Sequence, residues 1–179
     1  MNNKHSDYFS FYSISPCFFP DISELKKKYY GYSKQYHPDF FTLEDKKKQS
    51  EVLELSSYNN KAYTTLSDFN KRIKYILSLF FDVSEETSHK MDDDFLMDMM
   101  ELNENISEVS IENDEDKMNG VKEEIEKRIS DLDLSILPEM KSFDVGNREI
   151  NLLEKIKDYY FKRKYILRIQ ENIANFAGL

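Results

Sequence analysis

The chain has 179 residues, 40% hydrophobic and 33% charged, with four glycines and four prolines, which leaves room for one domain or two small ones and makes helix the economical expectation. A net charge of −9 and a pI near 4.9 argue against attraction of the whole chain to a phosphate backbone. Cys17 is the only cysteine, which excludes an intramolecular disulfide and any cysteine-held zinc or iron–sulfur cluster, and fits a reducing compartment.

The opening MNNKHSDYF has neither an apolar signal core nor an arginine-rich amphipathic stretch, and every hydrophobic run is too short to span a bilayer. A soluble chain with no membrane segment and no address label is expected. Pro20-Asp21 starts the first helix, with Ser23 as an alternative cap. From there Leu25, Tyr29, Tyr32 and Tyr36 recur at the spacing of one helix face, and Lys26, Lys27, Lys28 and Lys34 occupy the rest. Gly31 inside this helix costs about 1 kcal/mol relative to alanine. The helix ends before Pro38, because the residue preceding a proline is pushed toward extended geometry. Residues 38–44 connect to a second helix, from about Glu44 to Leu66, with Val52, Leu55, Asn59, Ala62, Tyr63 and Leu66 on one stripe. Ser67-Asp68 interrupts it, and FNKRIKYILSLF reads as a further short amphipathic helix. The acidic stretch FDVSEETSHKMDDD has no apolar period and reads as a linker, dividing the chain into residues 1–81, 82–92 and 93–179.

Three helical patterns follow. The first covers about Asp93 to Ile111. The second covers Asp116 to Ile136, with Met118, Val121, Ile125, Ile129, Leu132 and Ile136 in register, after which Pro138 and Gly146 punctuate a gap. The third covers about Asn147 to Phe176, with Leu152, Ile156, Tyr159, Ile166, Ile169, Ile173 and Phe176. Amphipathic helices joined by short turns suggest a small three-helix bundle. Charge is unevenly distributed: Met91–Asp116 holds eleven acidic residues and no lysine or arginine, Leu25–Tyr36 holds four lysines and no acid, and Lys155–Arg168 is again basic. Two partner surfaces of opposite sign would account for this, as would solvated helix faces.

FLMDMMELNENISEV carries apolar residues on two sides of one helix. Phe95, Met99, Leu102, Ile106 and Val109 make a face suited to a bundle core, while Met97, Met100, Glu101, Glu104 and Glu108 fall opposite, with Leu96 at the margin. Exposed methionines rimmed by carboxylates have the make-up of a partner patch. Periodicity leaves open that both methionines pack against another helix. The glutamates lack a histidine at Glu-x-x-His spacing, so a di-metal site is not expected.

His37 and Asp39 could be an acid–base pair, half a metal site or a turn. Nucleophilic catalysis needs a serine, cysteine or threonine in reach of the base, and no Gly-x-Ser-x-Gly elbow exists. Only His5 and His89 remain as nitrogen donors, and neither has zinc-ligand spacing to His37. Pro38 fixes the backbone and Asp39 can accept from nearby amides, so a rigid turn is expected, and such a turn also displays both side chains in a fixed pose.

The lysine-faced helix, His37-Pro38-Asp39 and the helix ending NNKAYTTLSD together resemble a J-domain, the module that activates heat-shock chaperones of the DnaK type. More narrowly, DYFSFYSI (residues 7–14), KRIKYILSL (71–79), FLMDMMELNE (95–104) and KYILRIQENI (164–173) resemble, in order, segments of the HscB family, J-protein co-chaperones of iron–sulfur cluster assembly. The resemblance implies an all-α chain: an N-terminal J-domain helical hairpin and a C-terminal three-helix bundle of the HscB oligomerisation type, in an L-shaped arrangement. It implies a co-chaperone and not an enzyme, without cofactor or metal, which stimulates the ATPase of a DnaK/HscA-type chaperone and delivers an IscU-like scaffold protein to it. His37, Pro38 and Asp39 would be the trigger, with Lys26, Lys27, Lys28 and Lys34 docking it electrostatically. Leu96, Met97, Met100, Glu101, Glu104 and Glu108, with Tyr165 from the last helix, would bind the scaffold. Neither nucleic acid nor membrane is an expected partner, and the expected compartment is the bacterial cytoplasm or the mitochondrial matrix. The sequence departs from the family pattern at Phe40, where a basic residue is usual, at Phe69, usually proline, and at Ile73, usually alanine. Rival readings are a general J-protein with another client, a hydrolase or metalloenzyme using His37, and a structural helical adaptor.

Overall fold

In the computed structural model, which describes residues 7–83, 89–112 and 114–176 (the side chains of 174–176 apart), every regular element is helical: seven α-helices and one 3-10 turn, with no strand among the described residues. The Phe176 side chain, expected at the end of the last apolar stripe, and residues 84–88 of the expected linker lie outside the described residues. Two compact units meet in sequence between Phe81 and Asp82.

The first unit begins with a helix that periodicity does not reveal, α1 (Tyr8–Phe11). It exists through a capping box: Asp7 accepts from the Ser10 N–H at 2.9 Å, and Ser10 Oγ accepts from the Asp7 N–H at 3.2 Å. The short turn sends Phe9 and Phe11 into the core. Helix α2 (Ile22–Gln35) is capped by Asp21, which accepts from Glu24 N–H at 3.0 Å, so Ser23 is inside the helix and not its cap. Helix α3 (Lys46–Ser67) is capped by Asp45, and α4 (Phe69–Ser78) by Asp68, whose extended backbone also ends α3. A proline is not needed at residue 69 for this break, because the Asp68 carboxylate takes the Lys71 N–H at 2.8 Å.

Helices α2 and α3 run antiparallel. Tyr29 stacks on Tyr63 with ring centroids 4.2 Å apart, and one α3 turn earlier Asn59 meets both Tyr29 and Ser33. Asn59 is buried within an otherwise apolar stripe. Its amide donates to Tyr29 O at 3.1 Å and Ser33 Oγ at 3.0 Å, and accepts from Tyr12 O–H at 2.7 Å. Burial pushes the Tyr12 phenol well above its ordinary pKa, which keeps it a donor. A second buried polar group, Arg72, donates through Nε to Phe18 O at 2.9 Å and through a terminal nitrogen to Leu66 O. The core between these links comprises Phe9, Phe11, Phe18, Leu25, Val52, Ala62, Leu66, Ile73 and Ile76.

The second unit packs α5 (Asp93–Glu112), α6 (Glu115–Asp144) and α7 (Ile150–Phe176) around Met99, Leu102, Val109, Val121, Ile125, Ile166, Ile169 and Ile173. Helix α6 overturns one expectation, since it continues past Ile136, through Pro138, to Asp144. A mid-helix proline costs about 3 kcal/mol through the lost N–H bond and a clash. Beyond the proline Met140 and Phe143 continue the buried face of Ile136 at spacings of four and three, and both are buried. Each such burial contributes about 1.5–3 kcal/mol, which outweighs the penalty. The helix ends instead just before Gly146, at φ +108°, a conformation that suits glycine alone. Two ionic links fix register: Arg128 of α6 joins Asp98 of α5 and its own Glu124, and Asp133 of α6 accepts from Tyr159 O–H at 2.6 Å and Arg163 Nε at 2.7 Å on α7.

Two stability measurements check this account. A Cβ added at Gly31 meets nothing within 4 Å, so Gly31→Ala is expected to stabilise the chain by about 1 kcal/mol in denaturant unfolding. Arg72→Leu is expected to cost about 2 kcal/mol or more, because the Phe18 and Leu66 carbonyls lose this donor in the core.

Candidate functional site

Two surfaces collect the residues singled out above, one in each unit. The first lies where α2 ends. Tyr36 closes the helix, its N–H donating to Tyr32 O at 2.8 Å. His37 then adopts extended backbone, φ −73° and ψ 123°, as the following proline requires. Pro38 opens a 3-10 turn, Pro38–Phe41, in which its missing N–H is no loss.

The residue that caps this turn is His37 and not Asp39, contrary to the sequence expectation. Nδ1 of the imidazole accepts the Asp39 N–H at 3.3 Å, so in the neutral ring the proton resides on Nε2. The Asp39 carboxylate stands 3.8 Å from Nδ1 and, like the imidazole, is largely in solvent. The Phe40 N–H returns to His37 O at 3.1 Å, and the Phe40 ring lies 5.5 Å from the imidazole, tilted by 51°. Gln49 of α3 completes the scaffold, its amide donating to Thr42 O at 3.0 Å and Glu44 O at 2.9 Å. Turn and display are therefore the same object: the backbone is fixed and both polar side chains face outward. Gln49 and the histidine cap carry no sequence period, so sequence reasoning missed them.

The lysines behind the turn are not equivalent. Lys26, Lys27 and Lys34 are exposed, and Lys26 sits 6.0 Å over the Tyr30 ring. Lys28 is half-buried: its ammonium donates to Tyr12 O at 2.7 Å and pairs with Glu24 at 3.1 Å. Part of the expected docking charge is thus committed to holding α2 on the fold. Among the described residues, no three His, Cys, Asp or Glu side chains gather to hold a metal ion, and no helix is long and apolar enough to cross a membrane.

The second surface is the outer side of α5. Met99, Leu102 and Val109 point into the bundle, with Phe95 and Ile106 packed at its edge. On the opposite side Met97 and Met100 are 61% and 65% exposed, beside exposed Leu96, Glu101, Glu104 and Glu108. The same side continues to Ile111, which is 85% exposed and three residues beyond Glu108. Reading the apolar period only as far as Val109 overlooks it. Tyr165 is placed differently: half-buried against the core, it meets Phe95 edge-on at 6.0 Å, with the Arg168 guanidinium 5.2 Å from its ring. The acids on the inner side of this region are neutralised. Asp98 pairs with Arg128, and Lys162 bridges Asp92 and Asp158, holding the Asp92 carboxyl below its usual range. Glu101, Glu104 and Glu108 lie in a stretch without lysine or arginine, so the outward field is negative.

Residues 91–174 match the HSCB C-terminal oligomerisation domain. The chain is 29% identical over 166 residues to the co-chaperone protein HscB homolog of Psychromonas ingrahamii, covering 92% of each chain. It is likewise 29% identical over 169 residues to the iron–sulfur cluster co-chaperone protein HscB of Mus musculus, covering 93% of this chain and 67% of the mouse protein. The crystal structure of human co-chaperone protein HscB superimposes with a TM-score of 0.75 at 26% identity, covering 94% of this chain and 80% of the human one.

The two faces of α5 are separable by mutation. Met97→Ala combined with Met100→Ala is expected to change unfolding free energy by less than about 0.5 kcal/mol, as for surface positions. Met99→Ala, between them in sequence but in the core, is expected to cost about 3 kcal/mol.

Proposed function

We propose that the chain is a co-chaperone of the HscB family, which stimulates the ATPase of a DnaK-type heat-shock chaperone and presents to it the scaffold protein of iron–sulfur cluster assembly; the match of residues 91–174 to the HSCB C-terminal domain supports this reading. The observation that carries the first half is the His37-Pro38-Asp39 turn, rigid in backbone and open in both polar side chains, at the end of a lysine-bearing helix. Each part has a physical task. Lys26, Lys27 and Lys34 attract an acidic surface and raise the encounter rate. His37 offers an outward Nε2–H and Asp39 an outward carboxylate, one donor and one acceptor in a fixed pose. Fixing that pose before binding lowers the ordering cost on contact.

The second half is supported by the outer face of α5. Met97 and Met100 adapt to irregular apolar surface, and Glu101, Glu104 and Glu108 select a partner with basic residues around an apolar patch. Tyr165 contributes from α7 beside Phe95. Holding chaperone and scaffold on one chain makes their encounter intramolecular and raises their effective concentration for each other. Nothing in this scheme needs the chain to act as a catalyst.

His37→Gln is expected to abolish stimulation of the chaperone's ATPase while the circular dichroism spectrum stays unchanged. Undiminished stimulation would overturn the trigger assignment. Met97→Ala with Met100→Ala is expected to weaken scaffold binding roughly tenfold or more in calorimetric titration, with normal ATPase stimulation in the absence of scaffold.

A further inference from the structure

Beyond Asp39 the turn presents two large apolar side chains to solvent. Phe40 is 68% exposed, and Leu43 is 101% exposed. Leu43 stands between the two carbonyls, Thr42 O and Glu44 O, that the Gln49 amide holds at 3.0 and 2.9 Å. A backbone pinned on both sides of a wholly exposed leucine is an unusual use of a surface position, since a flexible polar residue there would leave no apolar area in water. Phe40 is fixed as well, by its N–H to His37 O at 3.1 Å and its ring against the imidazole. Charged residues are close by: Glu44 and Asp45 follow Leu43 directly, then Lys46, Lys47 and Lys48 at the start of α3, all exposed. The apolar pair therefore interrupts a charged surface at the point where the trigger residues face outward.

We infer that Phe40 and Leu43 are apolar anchors for the same chaperone ATPase domain that His37 and Asp39 engage, seated in an apolar depression beside the acidic surface that receives the lysines. The inference rests on the trigger reading of His37-Pro38-Asp39. The occupant is argued from continuity, because Phe40 touches His37 and any surface that reaches its imidazole also covers the phenyl ring. It is argued also from charge, because Lys26, Lys27 and Lys34 on α2 select an acidic partner and leave the two apolar side chains as the non-ionic part of the contact. Their preset backbone means that burying them costs little further ordering. Exposed ion pairs fade as salt shortens the screening length, whereas apolar burial does not. The two kinds of contact thus have distinguishable signatures.

The test is the stimulation of the purified chaperone's ATPase by the full chain, titrated at low salt and at about 1 M salt. Phe40→Ala and Leu43→Ala are each expected to raise the half-saturating concentration about tenfold, the worth of one large apolar side chain, at both salt levels and with maximal stimulation retained. Lys26→Ala with Lys27→Ala is expected to raise it at low salt only. Phe40→Lys is expected to bind no better than Phe40→Ala. Half-saturation within twofold of the unmodified chain for both apolar variants, while His37→Gln abolishes stimulation, overturns the anchors and leaves the trigger standing. A gain from Phe40→Lys overturns the apolar depression. Reduced maximal stimulation at unchanged half-saturation overturns the anchor role of Phe40 and makes it a positioning residue for His37. Stimulation that survives His37→Gln sinks the trigger reading itself.

Discussion

The N-terminal unit depends on a single buried amide. Asn59 sits where an apolar residue would complete the α3 stripe, and its two ends bind two different segments: the turn after α1 through Tyr12, and α2 through Tyr29 and Ser33. A polar group so buried is costly unless every hydrogen bond is made. Wrong registers of α2 against α3 would leave it unmade, so the amide selects one register over others of similar apolar burial. Lys28 reinforces that choice by donating to the Tyr12 carbonyl. The end of α2, and hence the place where His37 leaves the helix, follows from this register. The pose of an exposed functional turn is thus determined by an interaction well away from it along α2.

The C-terminal unit solves a different problem, namely how one helix carries apolar residues on two sides without collapsing onto either. Helix α5 is held by its inner face, where Met99, Leu102 and Val109 are buried and Arg128 clamps Asp98 to α6. Its outer face remains soluble because Glu101, Glu104 and Glu108 stand among the exposed Met97, Met100 and Ile111. Mutual repulsion of those carboxylates is a standing cost. A basic partner, as proposed for this face, would relieve it, and the same charge opposes pairing of the patch with a like-charged copy.

Much of the fold is legible in the sequence because helix faces repeat, and repetition averages over many residues. The ends of α2 follow from Pro20-Asp21 and Pro38, the end of α3 from Ser67-Asp68, and the two sides of α5 from spacing alone. What is illegible is local or singular. Helix α1 has one turn and rests on the reciprocal bonds of Asp7 and Ser10, too short to show a period. Helix α6 runs through Pro138 because the buried side chains beyond it, Met140 and Phe143, outweigh one lost bond, a balance that position-by-position propensity does not contain. The capping role of the His37 ring, the Gln49 clamp and the full exposure of Leu43 depend on contacts between segments rather than on pattern. The meaning of His37-Pro38-Asp39 is a separate matter. Elimination of catalytic and metal partners leaves a displayed turn, and only the resemblance of its surroundings to a J-domain says to whom it is displayed.

On the proposed reading, the surface around His37 combines three kinds of contact with different ranges, and the ranges order their effects in time. At physiological ionic strength the screening length is about 8 Å, so Lys26, Lys27 and Lys34 are felt before contact but add little once solvent-exposed charges have met. They act on the rate of arrival. The imidazole and carboxylate act only at hydrogen-bond distance, and their fixed pose makes them selective for orientation rather than strong. Residence time then falls to apolar burial, for which the turn offers Phe40 and Leu43. Two such side chains rather than a broad apolar face would leave the proposed complex reversible, because the dissociation rate rises with each anchor left out. On this argument the phenylalanine in place of a basic residue does not weaken the proposed contact. It moves part of the binding free energy from arrival to residence, where salt has the least hold on it.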